Sequence, residues 1–404
     1  MKRTIAALAL AGSLLSCSAP PIHNAGGNGT LGGNDTLFVR TPDGLRSIAS
    51  STGELVHSFP GGIGSPDFTL VAAATPAGDE TRISLQDPMG AELTTSQIQG
   101  SLVPRVISGT GELVALAPPR AEGIDPYLPE GRAESRIVVL NASGRHREYV
   151  LDGNFEPEAF SVNDRQLFMI EYFPALEPAE YRVRRLLLDS GKVVPIGRLK
   201  NFAPGQMQGT GRNQVYAPDG SALYTLYTQQ HEGGHDHSVG GGRAFIHLLN
   251  LSESWAHCID LPAAFGEGQT TASAIATTPI GESLFVVDWT NGAIAVVDPL
   301  EIGVMHKAEI DLGSPDEQTF AQATADTLYV GGNSTIVMID GGSLQETDRW
   351  SLSGEIAGLK VSRDGRRLYA VVGGEIVVLN ATTGEVLGSI PAPGAAGIEH
   401  VREV

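Results

Sequence analysis

The chain alternates short apolar segments with polar turns, and one combination of the two recurs along its length. Residues 217–224 (APDGSALY) recur as 362–369 (SRDGRRLY) and, in degraded form, as 278–285 (TPIGESLF). Each copy has a glycine where the turn favours positive φ, followed by a short apolar strand. Weaker copies share the leucine, which gives eight anchors: Leu37, Leu70, Leu113, Leu167, Leu223, Leu284, Leu328 and Leu368.

A second apolar strand and a polar turn follow the anchors. The clearest example is IVVLN at 376–380, with similar strings at 137–141, 294–298 and 336–340. No helical periodicity is long enough to compete with this pattern. The anchors are 33 to 61 residues apart, and periods near 40–50 residues with several short strands are typical of a β-propeller. The sequence therefore predicts an all-β fold consisting of a single propeller.

The anchors also predict how many blades there are and how the ring closes. Eight anchors predict eight blades, and seven is the alternative because the spacing of 33 residues between Leu37 and Leu70 is the shortest. The first unit lacks a strand before residue 35, whereas residues 397–404 are left over after the last complete unit. We therefore expect the C-terminal strand to complete the N-terminal blade, which leaves no open sheet edge.

The repeat resembles that of YVTN-type and quinoprotein-like β-propellers. The matching strings are Pro-Asp-Gly at 218–220, Leu-Tyr-Ala-Val at 368–371 and Thr-Gly-Glu at 383–385. The resemblance covers roughly residues 35–402. It implies the propeller fold and leaves the activity open, because propellers carry many unrelated functions.

The N-terminus has the pattern of an export signal. Met1-Lys2-Arg3 is basic, and the apolar run 5–15 is too short to span a bilayer. The string LLSC at 14–17 resembles the bacterial lipobox, which implies cleavage before Cys17 and a lipid on that cysteine. We therefore predict a lipoprotein signal peptide over 1–16, a lipidated flexible tether over 17–34 and the propeller over 35–404. The alternative is an ordinary export signal with a coincidental cysteine.

Composition and net charge indicate a folded protein and limit the kinds of partner that it can bind. With 41% apolar and 18% charged residues in 404, the chain is typical of a folded protein. A net charge of −19 disfavours nucleic acid as a partner. We expect a lipid-anchored, extracytoplasmic protein of the bacterial cell envelope. Once Cys17 is lipidated, Cys258 has no partner for a disulfide, and we expect it to be a buried thiol.

Three consecutive anchor spacings are long, and this indicates loops on one face. We assign the extra residues to the connection between the second and third strands of blades three, four and five, at 118–135, 173–181 and 229–243. Equivalent loops of a propeller emerge on the same face, and insertions in repeats often mark the binding face. The predicted binding-face residues are Arg120, Tyr127, Arg132, Tyr172, Tyr181, Glu232 and Trp289.

The blade-five loop is rich in histidine. His231, His235, Asp236 and His237 could surround zinc or copper, since imidazole is a ligand for both. The alternative is a solvated loop, because the flanking glycines make ordering it costly. No other cofactor is expected.

Two classes of function remain open. The first, which we favour, is a non-enzymatic binding or scaffold module that holds a protein, peptide or glycan of the envelope on the long-loop face. The second is a propeller enzyme of the quinoprotein-like or lactonase-like type, acting on a small molecule through polar residues in the central channel.

Overall fold

The repeats fold into eight small sheets arranged in a ring, which confirms the predicted eight-bladed β-propeller. The computed structural model describes residues 33–120, 130–198, 207, 210–228, 243–314 and 318–403. The predicted signal peptide and nearly all of the tether lie outside these residues. Within them, no helix is both long and apolar enough to cross a membrane.

The first four blades contain strands β1 to β15 in chain order. Blade one has β1 (Thr36–Thr41), β2 (Gly44–Ala49) and β3 (Leu55–Pro60). Blade two has β4 (Ile63–Gly64), β5 (Val71–Ala77), β6 (Glu80–Gln86) and β7 (Glu92–Gln99). Blade three has β8 (Val103–Ile107), β9 (Leu113–Ala117), β10 (Glu134–Asn141) and β11 (His146–Asp152). Blade four has β12 (Asn154–Phe160), β13 (Gln166–Phe173), β14 (Glu180–Leu187) and β15 (Lys192–Pro195).

The remaining strands build blades five to eight and close the ring. Blade five has β16 (Gly197–Arg198), β17 (Thr210–Tyr216), β18 (Ala222–Thr228), β19 (Phe245–Asn250) and β20 (Trp255–Asp260). A 3-10 turn (Thr270–Ala272) precedes blade six, which has β21 (Ser273–Thr277), β22 (Leu284–Asp288), β23 (Ala293–Asp298) and β24 (Gly303–Glu309). Blade seven has β25 (Thr319–Ala323), β26 (Thr327–Gly332), β27 (Thr335–Asp340) and β28 (Glu346–Ser351). Blade eight has β29 (Ile356–Val361), β30 (Arg367–Val372), β31 (Glu375–Asn380) and β32 (Val386–Pro391), and β33 (Gly397–Arg402) follows it.

The C-terminal strand closes the ring as predicted. β33 pairs antiparallel with β1, with Leu37 opposite Val401, and the sheet order of blade one is β3-β2-β1-β33. The last strand of the chain is thus the innermost strand of the first blade. The first and the last strand of the propeller are joined by backbone hydrogen bonds, and the N-terminal blade has no open inner edge.

Burial explains why the leucine anchors recur. Each anchor lies in, or directly before, the second strand of a blade, and both faces of that strand are covered by neighbouring blades. All seven residues of β18 are buried, whereas five of the six residues of the outer strand β28 are exposed. Eight apolar clusters of described residues fill the interfaces between adjacent blades. The core is therefore a ring of interfaces between blades.

One predicted loop position requires correction. In blade four, β13 and β14 are eight residues each, so the connection between them is only 174–179. The extra length lies instead at 199–209, between β16, the two-residue strand at the outer edge of blade five, and β17, the innermost strand of that blade. Anchor spacing counts the residues between two successive second strands, and it cannot tell which of the intervening connections is long.

Candidate functional site

The long segments of blades three to five emerge on one face of the ring. Successive strands within a blade are antiparallel, so the connection from the second to the third strand lies on the same face as the connection to the next blade. We call this the long-loop face. Its segments are 118–133, 174–179, 196–209 and 229–244, of which the structure describes 118–120, 130–133, 174–179, 196–198, 207 and 243–244.

The loops of blades three and four are joined by hydrogen bonds. The backbone N–H of Arg132 donates to the carbonyl of Ala175 at 2.9 Å. The buried Asn154 donates its side-chain amide to the carbonyls of Glu130 at 3.0 Å and Ala175 at 3.3 Å. One buried amide thus holds both loops, so their described parts form a single surface.

Three arginines converge on one buried carboxylate beneath this surface. Glu156, on β12, is 1% exposed. Its Oε1 accepts a hydrogen bond from Nη2 of Arg132 at 2.6 Å, and its Oε2 lies 3.5 Å from Nη2 of Arg120 and 3.6 Å from Nε of Arg105. We call these four residues the arginine cluster. Arg120 and Arg132 are predicted site residues, and the structure brings them together at the two ends of the blade-three loop.

Carbonyl oxygens fix two of these guanidinium groups. Arg105 donates to Pro118 O at 2.6 Å, and Arg132 donates to Phe155 O at 2.6 Å. Burial lowers the pKa of Arg105; the positive charges of Arg120 and Arg132 act in the same direction and Glu156 opposes them. With one carboxylate among three guanidinium groups, the cluster carries a formal charge of +3 − 1 = +2.

Sequence reasoning missed Arg105 and Glu156. Arg105 lies in the strand segment VPRVI, where the ladder between β8 and β9 shifts register between Pro104 and Val106. The only signal was a charged residue inside an otherwise apolar strand. Glu156 lies on β12, all seven residues of which are buried. A buried carboxylate in such a strand needs a positive partner or hydrogen-bond donors, but the sequence does not say which residues supply them.

Three of the four predicted aromatic contact residues lie in the described part of the chain, and all three are buried, contrary to the exposed positions expected of a binding surface. Tyr172, Tyr181 and Trp289 are 1%, 2% and 2% exposed. Tyr181 packs against Tyr172 and Tyr227, with ring centroids 5.9 and 5.4 Å away, and exchanges two backbone hydrogen bonds with Met207. Trp289 donates its indole N–H to Ser314 O at 2.8 Å. These rings therefore hold the strand ends and segments of the face rather than contacting a ligand.

Leu176 is an exposed apolar residue on the long-loop face that the sequence prediction omitted. Its side chain is 67% exposed, at the centre of the connection 174–179. The neighbouring residue Ala175 accepts the hydrogen bond from Arg132, so Leu176 lies beside the arginine cluster. Arginine is enriched at protein interfaces, and the exposed leucine adds apolar surface close to the arginines.

The predicted metal site cannot be placed. His231, His235, Asp236 and His237 lie outside the described residues, as do Tyr127 and Glu232. Within the described part of the chain, no group of three or more His, Cys, Asp or Glu residues is positioned to hold a metal ion. Cys258, in contrast, is described. It packs against the core between blades four and five, and burial raises the pKa of its thiol.

A second site of interest is the central channel. The inner strands of five blades, β17, β21, β25, β29 and β33, line a cavity of about 460 Å³. Lys360, Glu399, Gln214 and Gln322 are among its lining residues. Burial lowers the pKa of Lys360, and the negative charge of Glu399 opposes this shift. Gln214 donates a hydrogen bond to Glu158 at 2.6 Å, so polar groups do converge in the channel.

Comparison with known proteins supports the fold. No protein-family model matches the sequence, and no curated protein is similar to it. Among solved structures, dihydro-heme d1 dehydrogenase NirN in complex with DHE is similar over 90% of this chain and 74% of its own, with 16% identity and a TM-score of 0.55. This chain is a β-propeller.

A second propeller is similar to this chain with a lower TM-score. BamB from Moraxella catarrhalis is similar over 83% of this chain and 92% of its own, with 15% identity and a TM-score of 0.45. Identities this low give the fold alone. The YVTN or quinoprotein family and the lipid anchor therefore stay predictions from the sequence.

Proposed function

We propose that this protein is a membrane-tethered module of the bacterial envelope that binds a protein, peptide or glycan through its long-loop face. The observation that carries the proposal is the concentration of long segments on one face of three consecutive blades. The described parts of two of these segments are joined by hydrogen bonds over a buried amide. Per-repeat insertions on one face are typical of binding surfaces in repeat proteins.

The chemistry of the described face fits a macromolecular ligand. Leu176 offers an apolar contact, and the side chains of Arg120 and Arg132 on the same face are 29% and 26% exposed. Arginine is enriched among the residues that dominate binding energy, and an apolar contact flanked by polar groups is a common interface pattern.

Replacing Leu176 by aspartate tests the face. The full-length tethered protein would be crosslinked in cells and purified with its partners, beside Leu176→Asp and Leu300→Asp. Leu300 is 86% exposed and lies between β23 and β24, a connection that emerges on the opposite face. We expect Leu176→Asp to lose the partner and Leu300→Asp to retain it. Equal recovery of the same partner by both variants would contradict the proposal.

The tether has its own test. Cys17→Ala removes the residue that would carry the lipid, so we expect the protein to move from the membrane to the soluble fraction. Retention of the variant in the membrane fraction, resistant to a high-salt wash, would count against lipidation at Cys17. That result would not bear on the proposed binding face.

The central channel favours a second candidate function. A cavity of about 460 Å³ falls within the usual size of small-molecule sites, and Lys360 in it has a lowered pKa. A quinoprotein-like or lactonase-like activity would use this cavity rather than the long-loop face. The assays would be oxidation of an alcohol with a quinone cofactor and hydrolysis of a lactone. An activity that is lost in Lys360→Met and kept in Leu176→Asp would support the enzyme hypothesis.

A further inference from the structure

The arginine cluster has more hydrogen-bond donors than the described residues accept. Each guanidinium group has five N–H bonds, so three groups have fifteen. In the described part of the chain these groups donate four hydrogen bonds: one from Arg105, one from Arg120 and two from Arg132. The Nε–H of all three is buried and donates to no acceptor there. Buried donors of this kind are normally satisfied, so unmet donors call for an explanation.

The cluster also has more positive charge than its carboxylate can balance. One glutamate is enough to pair with one arginine, whereas Glu156 faces three. Burying a charge without a counter-charge costs several kcal/mol. Pairing with Glu156 alone therefore does not explain why two further arginines lie beside it. A second anion among them would balance the excess.

Such an anion can reach the cluster from solvent. Glu156 is 1% exposed, whereas the side chains of Arg105, Arg120 and Arg132 are 15%, 29% and 26% exposed. The carboxylate is thus the inner member, and the partly exposed arginine side chains are the outer ones. Arg105 and Arg132 are also fixed by carbonyl oxygens, so part of the site is ordered before a ligand binds.

We propose that Arg105, Arg120 and Arg132 form a binding site for an oxyanion, either a carboxylate or a phosphate group. Guanidinium groups present paired N–H donors that match both kinds of group. Glu156 positions the three arginines and lowers their combined formal charge to +2, which a phosphate dianion would neutralise and a carboxylate would reduce to +1. The site deepens the proposed function, since it supplies an acidic end group for a ligand on the long-loop face, but small anions test it without any partner.

The test measures binding of inorganic phosphate, sulfate and succinate to the soluble body by titration calorimetry, with sodium chloride at matched ionic strength as the reference. We expect saturable binding with one site per chain. Arg120→Gln should weaken it about tenfold, because a charge-assisted hydrogen bond is lost. Arg82→Gln is the matched control, since Arg82 pairs with Glu92 on the exposed surface of blade two. This variant should bind like the wild type.

A variant expected to bind anions more tightly distinguishes an anion site from a structural cluster. Glu156→Gln removes the internal carboxylate and should tighten anion binding, with phosphate or succinate restoring the stability that the variant loses. Preference for succinate would identify the natural group as a carboxylate, and preference for phosphate would identify it as a phosphate. Arg120 has the longest side-chain hydrogen bond of the cluster, at 3.5 Å, so Arg120→Gln is the variant expected to stay folded.

Three results would overturn the proposal. They are the absence of saturable binding in the wild type, equal affinities for Arg120→Gln and Arg82→Gln, and displacement of the anion by chloride at equal ionic strength. Each would leave the partner experiment with Leu176→Asp unaffected. Loss of a partner in that experiment, conversely, would not establish the anion site.

Discussion

Acidification should weaken the propeller through His400 on the strand that closes the ring. The His400 ring stacks on Phe68, with centroids 4.7 Å apart and planes 6° from parallel. Burial lowers the pKa of His400 from 6.5 to about 4; the positive charges of Lys360 and Arg402 add to the shift, and Asp67 opposes it. His400 is therefore neutral in the folded protein at pH values where the unfolded chain already binds a proton.

The sign and the size of the effect follow from these two pKa values. Because the folded pKa is the lower one, unfolding takes up a proton, and stability falls as the pH drops from about 6.5 toward about 4. The full difference corresponds to about 3 kcal/mol. Between pH 7.5 and pH 5 the expected loss from this one residue is about 2 kcal/mol.

Urea unfolding at a series of pH values measures this loss. Many carboxylates titrate in the same range, so the informative quantity is the difference between the wild type and His400→Phe, which keeps a ring against Phe68. We expect this difference to change by about 2 kcal/mol between pH 7.5 and pH 5. His306→Phe, at an exposed position of β24, is the control and should show no such change. Parallel pH profiles for the wild type and His400→Phe would show that His400 does not contribute to the loss of stability.

Three other predictions concern turns, a buried hydrogen bond and the histidine loop. Gly292 has φ +61°, and a Cβ there would collide with the carbonyl oxygen of Ile310, so Gly292→Ala should lose about 3 kcal/mol in urea unfolding. Gly220→Ala, with φ +71° but nothing within 4 Å, should lose only about 1 kcal/mol; equal losses would show that the collision does not matter. Tyr369 donates a buried hydrogen bond to Asp35 at 2.6 Å, so Tyr369→Phe should cost about 2 kcal/mol. Tyr224→Phe, at the equivalent repeat position and without a hydrogen-bond partner for its hydroxyl among the described residues, should cost less, and the reverse order would contradict the assignment. If the blade-five loop binds metal, replacing His231, His235 and His237 by alanine should abolish zinc or copper binding in a titration, whereas unchanged binding would exclude the loop.

The location of the candidate site could be predicted only in part. Arg120 and Arg132 belong to a long loop whose position follows from the spacing of the anchors, and the structure places both at its base. Arg105 and Glu156 lie on strands of two different blades, 51 residues apart in sequence. Nothing local indicates that they meet. The three described aromatic residues are the opposite case: they were predicted as contacts and are buried. A ring beside a loop packs inward when the neighbouring blade offers an apolar surface.

The repeat pattern of the chain was sufficient to predict the ring. Eight leucine anchors, the turns before them and the unpaired C-terminal strand were enough, because each blade must bury the same two central strands and therefore repeats the same pattern. The polar groups that share a site and the aromatic rings that are buried could be identified only from the folded protein. Those outcomes depend on how adjacent blades pack and on which charged groups become buried. The period of the repeat encodes neither.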